Sequence, residues 1–380
     1  MESAETLLEI LLRCPCKSLL RFKCVCKSWC SMINDPYFTY RHLQKRKTRQ
    51  ESMHLMFLHG QVDGSVVLYL VDTSSSTSPH VWQRTTLGSY RNQKSLMILP
   101  SVNGLICMYG DFIFIINPIT KQIATFQPPC PRPDVLNHEV AIGFGFDPHT
   151  KQYKMVHAIC RNYRGIFVSD EDNLIYECRV FTLGGGSSTT CSWRRINPPS
   201  YPLRDMNSVY LDGKIYWIGD SRRCSRFYPL NDLIVVFFDV GNETFGDFQP
   251  PTLTSGLMYS KCLVVLKDKL CFVELCVNQL DIWMMEDCNK HTWTKEYAII
   301  GLERYDIAPE VPSPWMSRLK WTAFPMYIQE EDDIVFYIFP PTEIVSYNIK
   351  NNKVSTLLRL RGCPAGEGQI VHFRESLVRF

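Results

Sequence analysis

The chain has 380 residues, 45% apolar, 21% charged and 12% aromatic, with a formal net charge of +3. That composition excludes a disordered or fibrous chain and is large enough for a well-buried core and for one large domain beside a small one. The longest apolar runs, FIFII and LIVVFF, are strand-length, so no membrane-spanning helix and no membrane partner are expected.

There are 16 cysteines. The opening MESAETLLEI starts with acids rather than a basic-then-apolar leader, which predicts a reducing compartment, cytoplasmic or nuclear. In that setting the thiols serve as small hydrophobes. Charge is concentrated at the start: residues 1–50 hold ten Lys/Arg against four Asp/Glu, so the other 330 residues sum to −3. A basic head on a nearly neutral body predicts an acidic partner for the head. Nucleic acid would need a broader basic surface with interleaved aromatics, and none is evident.

Five cysteines crowd CPCKSLLRFKCVCKSWC, residues 14–30. Their spacing is Cys-x-Cys twice, and the chain contains no Cys-x-x-Cys. Side chains two apart on a helix diverge by roughly 200°, so Cys24 and Cys26 cannot share an ion. Cys26 and Cys30 make half a site at most. No metal or other cofactor is expected.

Apolar spacing is the stronger signal here. Leu7, Leu8, Leu11 and Leu12 form one helical stripe, with Glu9 and Arg13 in the favourable order four apart. Pro15 interrupts it. Leu19, Leu20 and Phe22 open a second helix, and Val25, Trp29, Met32 and Ile33 mark a third, stopped at Asn34-Asp35-Pro36. Three helices within about 35 residues cannot cover their own apolar faces, so a partner is predicted.

The run LLEILLRCPCKSLLRFKCVCKSWCSMINDPYF resembles an F-box of the plant type, with matches at Glu9, Ile10, Leu11, Arg13, Pro15, Lys17, Ser18, Leu19, Leu20, Phe22, Val25, Lys27, Trp29, Asp35 and Pro36. The resemblance implies a three-helix module docked on an acidic Skp-family adaptor, and through it on a cullin-RING ubiquitin ligase. On that reading Leu7, Ile10, Leu11, Pro15, Leu20, Val25 and Trp29 bind the adaptor. The motif's usual Leu-Pro start is replaced by Glu2 and Ser3, which weakens the expected grip. The module is placed at residues 1–45, followed by a basic linker at 46–52.

From about residue 53 the pattern becomes strand-like. A β run, an Asn/Asp turn and a second run recur as IINPITKQIATF, GFDPHTKQYKMV, VFFDVGNETFGDF, IWMMEDCNKHTWTKEY and VSYNIKNNKVSTL. A tighter hairpin recurs as SVYLDGKIYWIG and CLVVLKDKLCFVEL. Grouped in fours, the strands occupy 100–129, 140–197, 207–250, 259–299 and 320–358, a repeat of about 45 residues, the size of a propeller blade, and an unfilled first group lies at 53–87. The predicted fold class is mainly β with a small α-helical N-terminal module: a six-bladed β-propeller over 53–380, its first blade completed by the tail IVHFRESLVRF. A stacked β-sandwich is the alternative.

The phrases SVNGLICMYGDFIFIINPITKQIATFQPP, AIGFGFDPHTKQYKMV and ESLVRF resemble the F-box-associated domain, a kelch-like propeller that follows the F-box in plant proteins, the S-locus F-box type among them. The resemblance implies a substrate-recognition subunit of an SCF-type ligase, not an enzyme, that binds a substrate protein.

Blade geometry puts the long segments 129–139, 161–173, 197–207, 219–231 and 300–319 on one face, where binding is usually carried. They hold Arg161, Arg226, Tyr305 and Arg318, and the residues assigned to substrate: Tyr163, Arg164, Arg222, Arg223, Phe227, Tyr228 and Trp315. No phosphate loop, His-Glu-x-x-His or Gly-x-Ser-x-Gly is present. Gly143 and Gly145 read as strand residues, Gly184–Ser188 and Thr73–Ser78 as loops, and Glu330–Asp333 as a hairpin tip. The rival readings are a propeller hydrolase or sugar-active enzyme, and an F-box scaffold acting outside ubiquitination.

Overall fold

The computed structural model describes residues 2–47, 54–60, 65–72, 80–89, 97–129, 138–161, 175–183, 192–203, 208–220, 233–252, 258–276, 279–288, 290–299, 323–329, 333–338, 343–359 and 369–379. The chain divides into two compact units, Met1–Gln127 with Gln369–Phe380, and Pro128–Gly368.

The first unit opens with four helices: α1 (Glu2–Leu11), α2 (Cys16–Phe22), α3 (Lys27–Asn34) and α4 (Pro36–Lys47). Three were expected; the fourth occupies the stretch read as the end of the module and start of a linker. Asp35 and Pro36 do not stop the third helix so much as start the next. The Asp35 carboxylate accepts from the Tyr37 amide at 2.7 Å, capping α4, and Pro36 supplies a preset φ where no N–H is needed.

Two four-stranded sheets complete this unit. One is ordered β24-β1-β2-β3, with β1 at His54–Gly60, β2 at Ser65–Asp72, β3 at His80–Ser89 and the tail strand β24 at Gln369–Phe373. The expected closure by the tail is present: β24 pairs antiparallel with β1, Phe57 opposite Ile370. The strand stops at Phe373, and Glu375–Val378, expected as its continuation, is buried and runs outside any described strand. The other sheet runs β4-β5-β6-β7, at Met97–Ile98, Ile106–Tyr109, Ile113–Asn117 and Gln122–Phe126.

The second unit holds four antiparallel sheets in simple chain order. They are β8–β11 (His138–Asp147, Gln152–Arg161, Ile175–Leu183, Arg194–Ile196) and β12–β15 (Val209–Leu211, Lys214–Asp220, Leu233–Asp239, Thr244–Phe248). Then come β16–β19 (Met258–Leu266, Lys269–Cys276, Leu280–Asp287, Thr292–Ile299) and β20–β23 (Ala323–Gln329, Asp333–Ile338, Glu343–Asn348, Lys353–Arg359). Contacts of β8 with β12 and β13, of β16 with β12 and β13, and of β16 with β20 join successive sheets.

The six groups of strands read from the sequence are thus found, but one six-bladed propeller over 53–380 is corrected. Two of the described sheets belong to one compact unit and four to the other. Turn spacing and alternation report which strands pair, because those are local properties; how sheets group is set by face-to-face packing, which has no sequence period.

Two turn chemistries make the hairpins. In the first, Asn117, Asp147, Asp239, Asp287 and Asn348 each accept a backbone N–H two or three residues on, such as His149 N at 2.9 Å and Asn242 N at 2.8 Å. The fourth residue after each, Lys121, Lys151, Glu243, His291 and Asn352, is left-handed, with φ between 51° and 61°. In the second, Asp212-Gly213 and Lys267-Asp268 both take positive φ, the two-residue turn that matches strand twist.

Burial follows strand position. The inner β6 is buried throughout and β14 nearly so, while the outer β7 and β19 alternate. Gly143 and Gly145 have a packing role: a methyl at 143 would lie 2.3 Å from Trp217 Cζ2, and one at 145 would lie 2.8 Å from Ile215 Cγ1. The bare backbone of β8 lets Trp217 of β13 lie against it, donating from Nε1 to the Ile142 carbonyl at 3.2 Å.

Candidate interaction surface

The helices are cross-tied before any partner is added. His42 of α4 donates from Nε2 to the Cys14 carbonyl at 2.9 Å, fixing α4 to the turn between α1 and α2. Phe38 stacks on His42 with centroids 6.0 Å apart, and Phe22 meets Trp29 edge-on at 5.6 Å. Glu9 reaches across to α4, accepting from Arg41 at 2.7 Å and pairing with Lys45. The hydrogen bond from Lys45 chiefly holds the Glu9 carboxyl below its ordinary range against a smaller opposing effect of desolvation, with the Lys45 charge and the Arg41 contacts adding to it. Sequence reading had given Glu9 to Arg13, the neighbour four residues on; the long-range partners could be found only by knowing that α4 exists.

The seven residues assigned to the adaptor fall into three classes. Leu11 is buried among Leu12, Cys16, Leu19, Ile33 and Phe38, inside the chain's own core. Leu7, Leu20 and Trp29 are half-buried, packed against that core from outside. Pro15, Ile10 and Val25 are exposed, the last two 56% and 60% so. Pro15 is the N-cap of α2, and Val25 sits in the turn before α3 rather than on it. Tyr37, 66% exposed at the start of α4, was missed because that stretch was not read as helix. Its spacing from the Asp-Pro pair is the signal that identifies it.

The cysteines divide by exposure. Cys16 is fully buried, Cys24 and Cys26 are exposed, and Cys30 accepts from Asn34 Nδ2 at 3.5 Å. Among the described residues, no three His, Cys, Asp or Glu side chains gather as a metal site. No helix among them is long and apolar enough to cross a membrane.

Every residue assigned to substrate (Tyr163, Arg164, Arg222, Arg223, Phe227, Tyr228, Trp315) lies outside the described residues, as do Arg226, Tyr305 and Arg318. So do Gly184–Ser188, Thr73–Ser78 and all of Glu330–Asp333 but Asp333, which accepts from Asn348 Nδ2 at 2.6 Å. Among the described residues, the second unit presents a cavity of about 150 Å³ lined by Tyr176, Glu177, Cys178, Arg195 and Ile196. Its carboxylate is occupied: Glu177 accepts from Arg179 and, at 3.0 Å, from Arg195, and Arg179 chiefly holds its pKa down.

A family model described as the F-box associated beta propeller domain matches residues 15–359. The chain belongs to this family. The match begins inside the helical module, at Pro15, and so does not itself separate helices from sheets. An F-box protein of Arabidopsis thaliana is 29% identical over 314 residues, 80% of each chain. A second is 30% identical over 311 residues, 77% of this chain and 67% of its own. A third aligns over 96% of this chain and 88% of its own at 24% identity. Among solved structures, a chain of a nidogen/laminin complex aligns with 85% of this chain and 99% of its own, at 10% identity and a TM-score of 0.44. At that distance the likeness says nothing of function.

Proposed function

We propose that the protein is the substrate-recognition subunit of an SCF-type ubiquitin ligase. Residues 1–45 grip an acidic Skp-family adaptor, and the sheets from residue 53 onward hold the target protein through their long loops. The chain brings no chemistry of its own. It raises the local concentration of a target lysine beside the charged ubiquitin carrier, an effect of tethering alone. A reducing compartment, cytoplasm or nucleus, suits a chain whose described cysteines are free thiols.

The observation that carries this reading is the placement of exposed apolar side chains. Among the described residues, five large hydrophobic side chains are exposed, and three of them, Ile10, Val25 and Tyr37, lie in the short helical module. The same module carries the chain's basic surplus. Apolar anchors inside a basic rim fit an acidic partner with an apolar groove.

Co-expression of the full chain with an acidic Skp-family subunit tests it. A 1:1 complex is expected on gel filtration, and Ile10→Asp with Val25→Asp should remove it. Each lost anchor costs about 1.5–3 kcal/mol, roughly one to two decades of affinity. A wild-type chain that ignores such adaptors, or a double variant that binds as tightly, would end the proposal.

A further inference from the structure

Three phrases of the sequence that lie far apart, Asn103-Gly104-Leu105, Asn117-Pro118 and Glu375-Ser376-Leu377-Val378, meet at one place in the first unit. Gly104, at φ +80°, forms the turn between Val102 and Leu105. A methyl group there would lie 2.6 Å from both the Arg374 carbonyl oxygen and Ser376 Oγ, so only glycine lets the tail come this close. Asn117, fully buried, works in two directions. Its Oδ1 accepts from Ile119 N at 2.9 Å and Thr120 N at 3.2 Å, shaping the hairpin turn. Its Nδ2 donates to the Val378 carbonyl at 2.8 Å and the Ser376 carbonyl at 3.1 Å. Two tail carbonyls that left the ladder at Phe373 thereby find a donor.

The tail also reaches the helices. Leu377 is buried in the cluster that contains Leu11, Leu12, Cys16 and Leu19 of the α1–α2 region, together with Ile106 and Phe114 of the second sheet. Glu375, 5% exposed, lies 3.5 Å from Lys17 Nζ of α2 and 3.3 Å from His54 Nε2 of β1. Helix, first sheet and second sheet therefore all make contact with five consecutive residues.

We propose that residues 374–378 are an internal latch that fastens the helices to the two sheets of the first unit. The helices are held by a packed and hydrogen-bonded tail from the far end of the chain, not only by the chain link that follows α4. The latch sets the pose of the helical surface on those sheets, whatever that surface binds. Losing it leaves the apolar side of α2 without Leu377 and the Lys17 ammonium without its buried carboxylate partner, so the loosening should be local to this unit.

Hydrogen exchange on the full-length chain reads this directly, with a chain ending at Phe373 and the point variants Leu377→Ala and Glu375→Gln. Amides of α2 (Cys16–Phe22) and β1 should exchange at least tenfold faster in the truncated chain and in Leu377→Ala, with a smaller acceleration in Glu375→Gln. Amides of β16–β19 in the second unit should keep their rates, and Leu377→Met should restore protection of α2. If the truncated chain does not fold, the Leu377 pair decides. Unchanged α2 protection in Leu377→Ala overturns the latch; so does an equal loss in β16–β19, which would mean general destabilisation.

Discussion

The helical module and the sheets use apolar residues in opposite ways. In β6 and along most of β14 an apolar run is buried on both faces, and neighbouring strands flank each edge; for β14 both faces also carry apolar clusters, Ile234, Val236 and Phe238 on one side and Leu233 and Val235 on the other. In the helical module, helices of 7 to 12 residues and the turns between them leave Ile10, Val25 and Tyr37 more than half in water. Short helices bury little of their own surface and draw their stability from whatever they pack on. Apolarity in the sheets therefore reports a finished core, and apolarity in the helices reports an unfinished one. The comparison is sharpest at single residues of similar chemistry placed on the two sides of it.

The largest effect on stability is expected at Trp217. Its indole is fully buried among Ala141, Val156, Ile215 and Phe238 and donates to Ile142 O. Trp217→Ala removes the ring, leaves a cavity against Gly143 and orphans a carbonyl. It should destabilise the second unit by about 3–5 kcal/mol, seen as a lower midpoint in urea unfolding followed by circular dichroism. A loss below about 1 kcal/mol would show that the sheets repack freely and are no more finished than the helices.

A second prediction concerns charge in the same core. Burial, and then the Arg179 guanidinium, push the His157 pKa from 6.5 down to about 4, with Glu177 opposing. The unfolded chain takes up this proton near pH 6.5 and the folded one near pH 4. Acidification across that window therefore favours unfolding: the stability is fully present above pH 6.5 and falls by roughly 3 kcal/mol by pH 4. The carboxylates held low, Glu177 and Asp147 among them, begin to lose their contribution near their ordinary values of 4.5 and 3.8 and go on losing it as the pH falls further. His157→Gln should remove about half of the fall between pH 6.5 and 4, since burial pushes the His372 pKa down to about 4 as well, and leave the more acid limb in place. An unchanged curve in that window would mean that His157 is protonated in the folded state.

Much of this architecture was legible because it rests on local chemistry. The Asx turns were visible as repeated Asn or Asp residues between β runs, since a short polar side chain that bonds its own backbone is what a hairpin of this kind requires. The left-handed residue four places on was not visible: Lys, Glu, His and Asn all occupy it, so no residue type marks it. The fourth helix was missed because Asp35-Pro36 was read as a stop, although the same pair is a start signal. The packing roles of Gly143 and Gly104 depend on Trp217 and Ser376, partners far away in sequence, and Glu9 likewise pairs with a helix beyond its own. The adaptor residues of the helices were named from the F-box resemblance, which does not say which of them the chain buries in its own core. Only the fold separates Leu11, which faces inward, from Ile10, which does not.

That separation supplies the last and smallest prediction. Ile10 and Leu11 are adjacent on α1, yet one is 56% exposed and the other is in the core. Replacing Ile10 by Asn removes far less buried area from the isolated chain than any truncation of Leu11 and keeps a side chain that a helix tolerates. Its unfolding free energy should therefore stay within about 0.5 kcal/mol of wild type. Measured beside it by urea unfolding, Leu11→Ala should cost several times more, about 2–5 kcal/mol, through the cavity left against Cys16 and Leu19. A costly Ile10→Asn would place this side chain in the chain's own core. The contrast between finished sheets and an unfinished helical surface would then fail at the residue where it is most exposed.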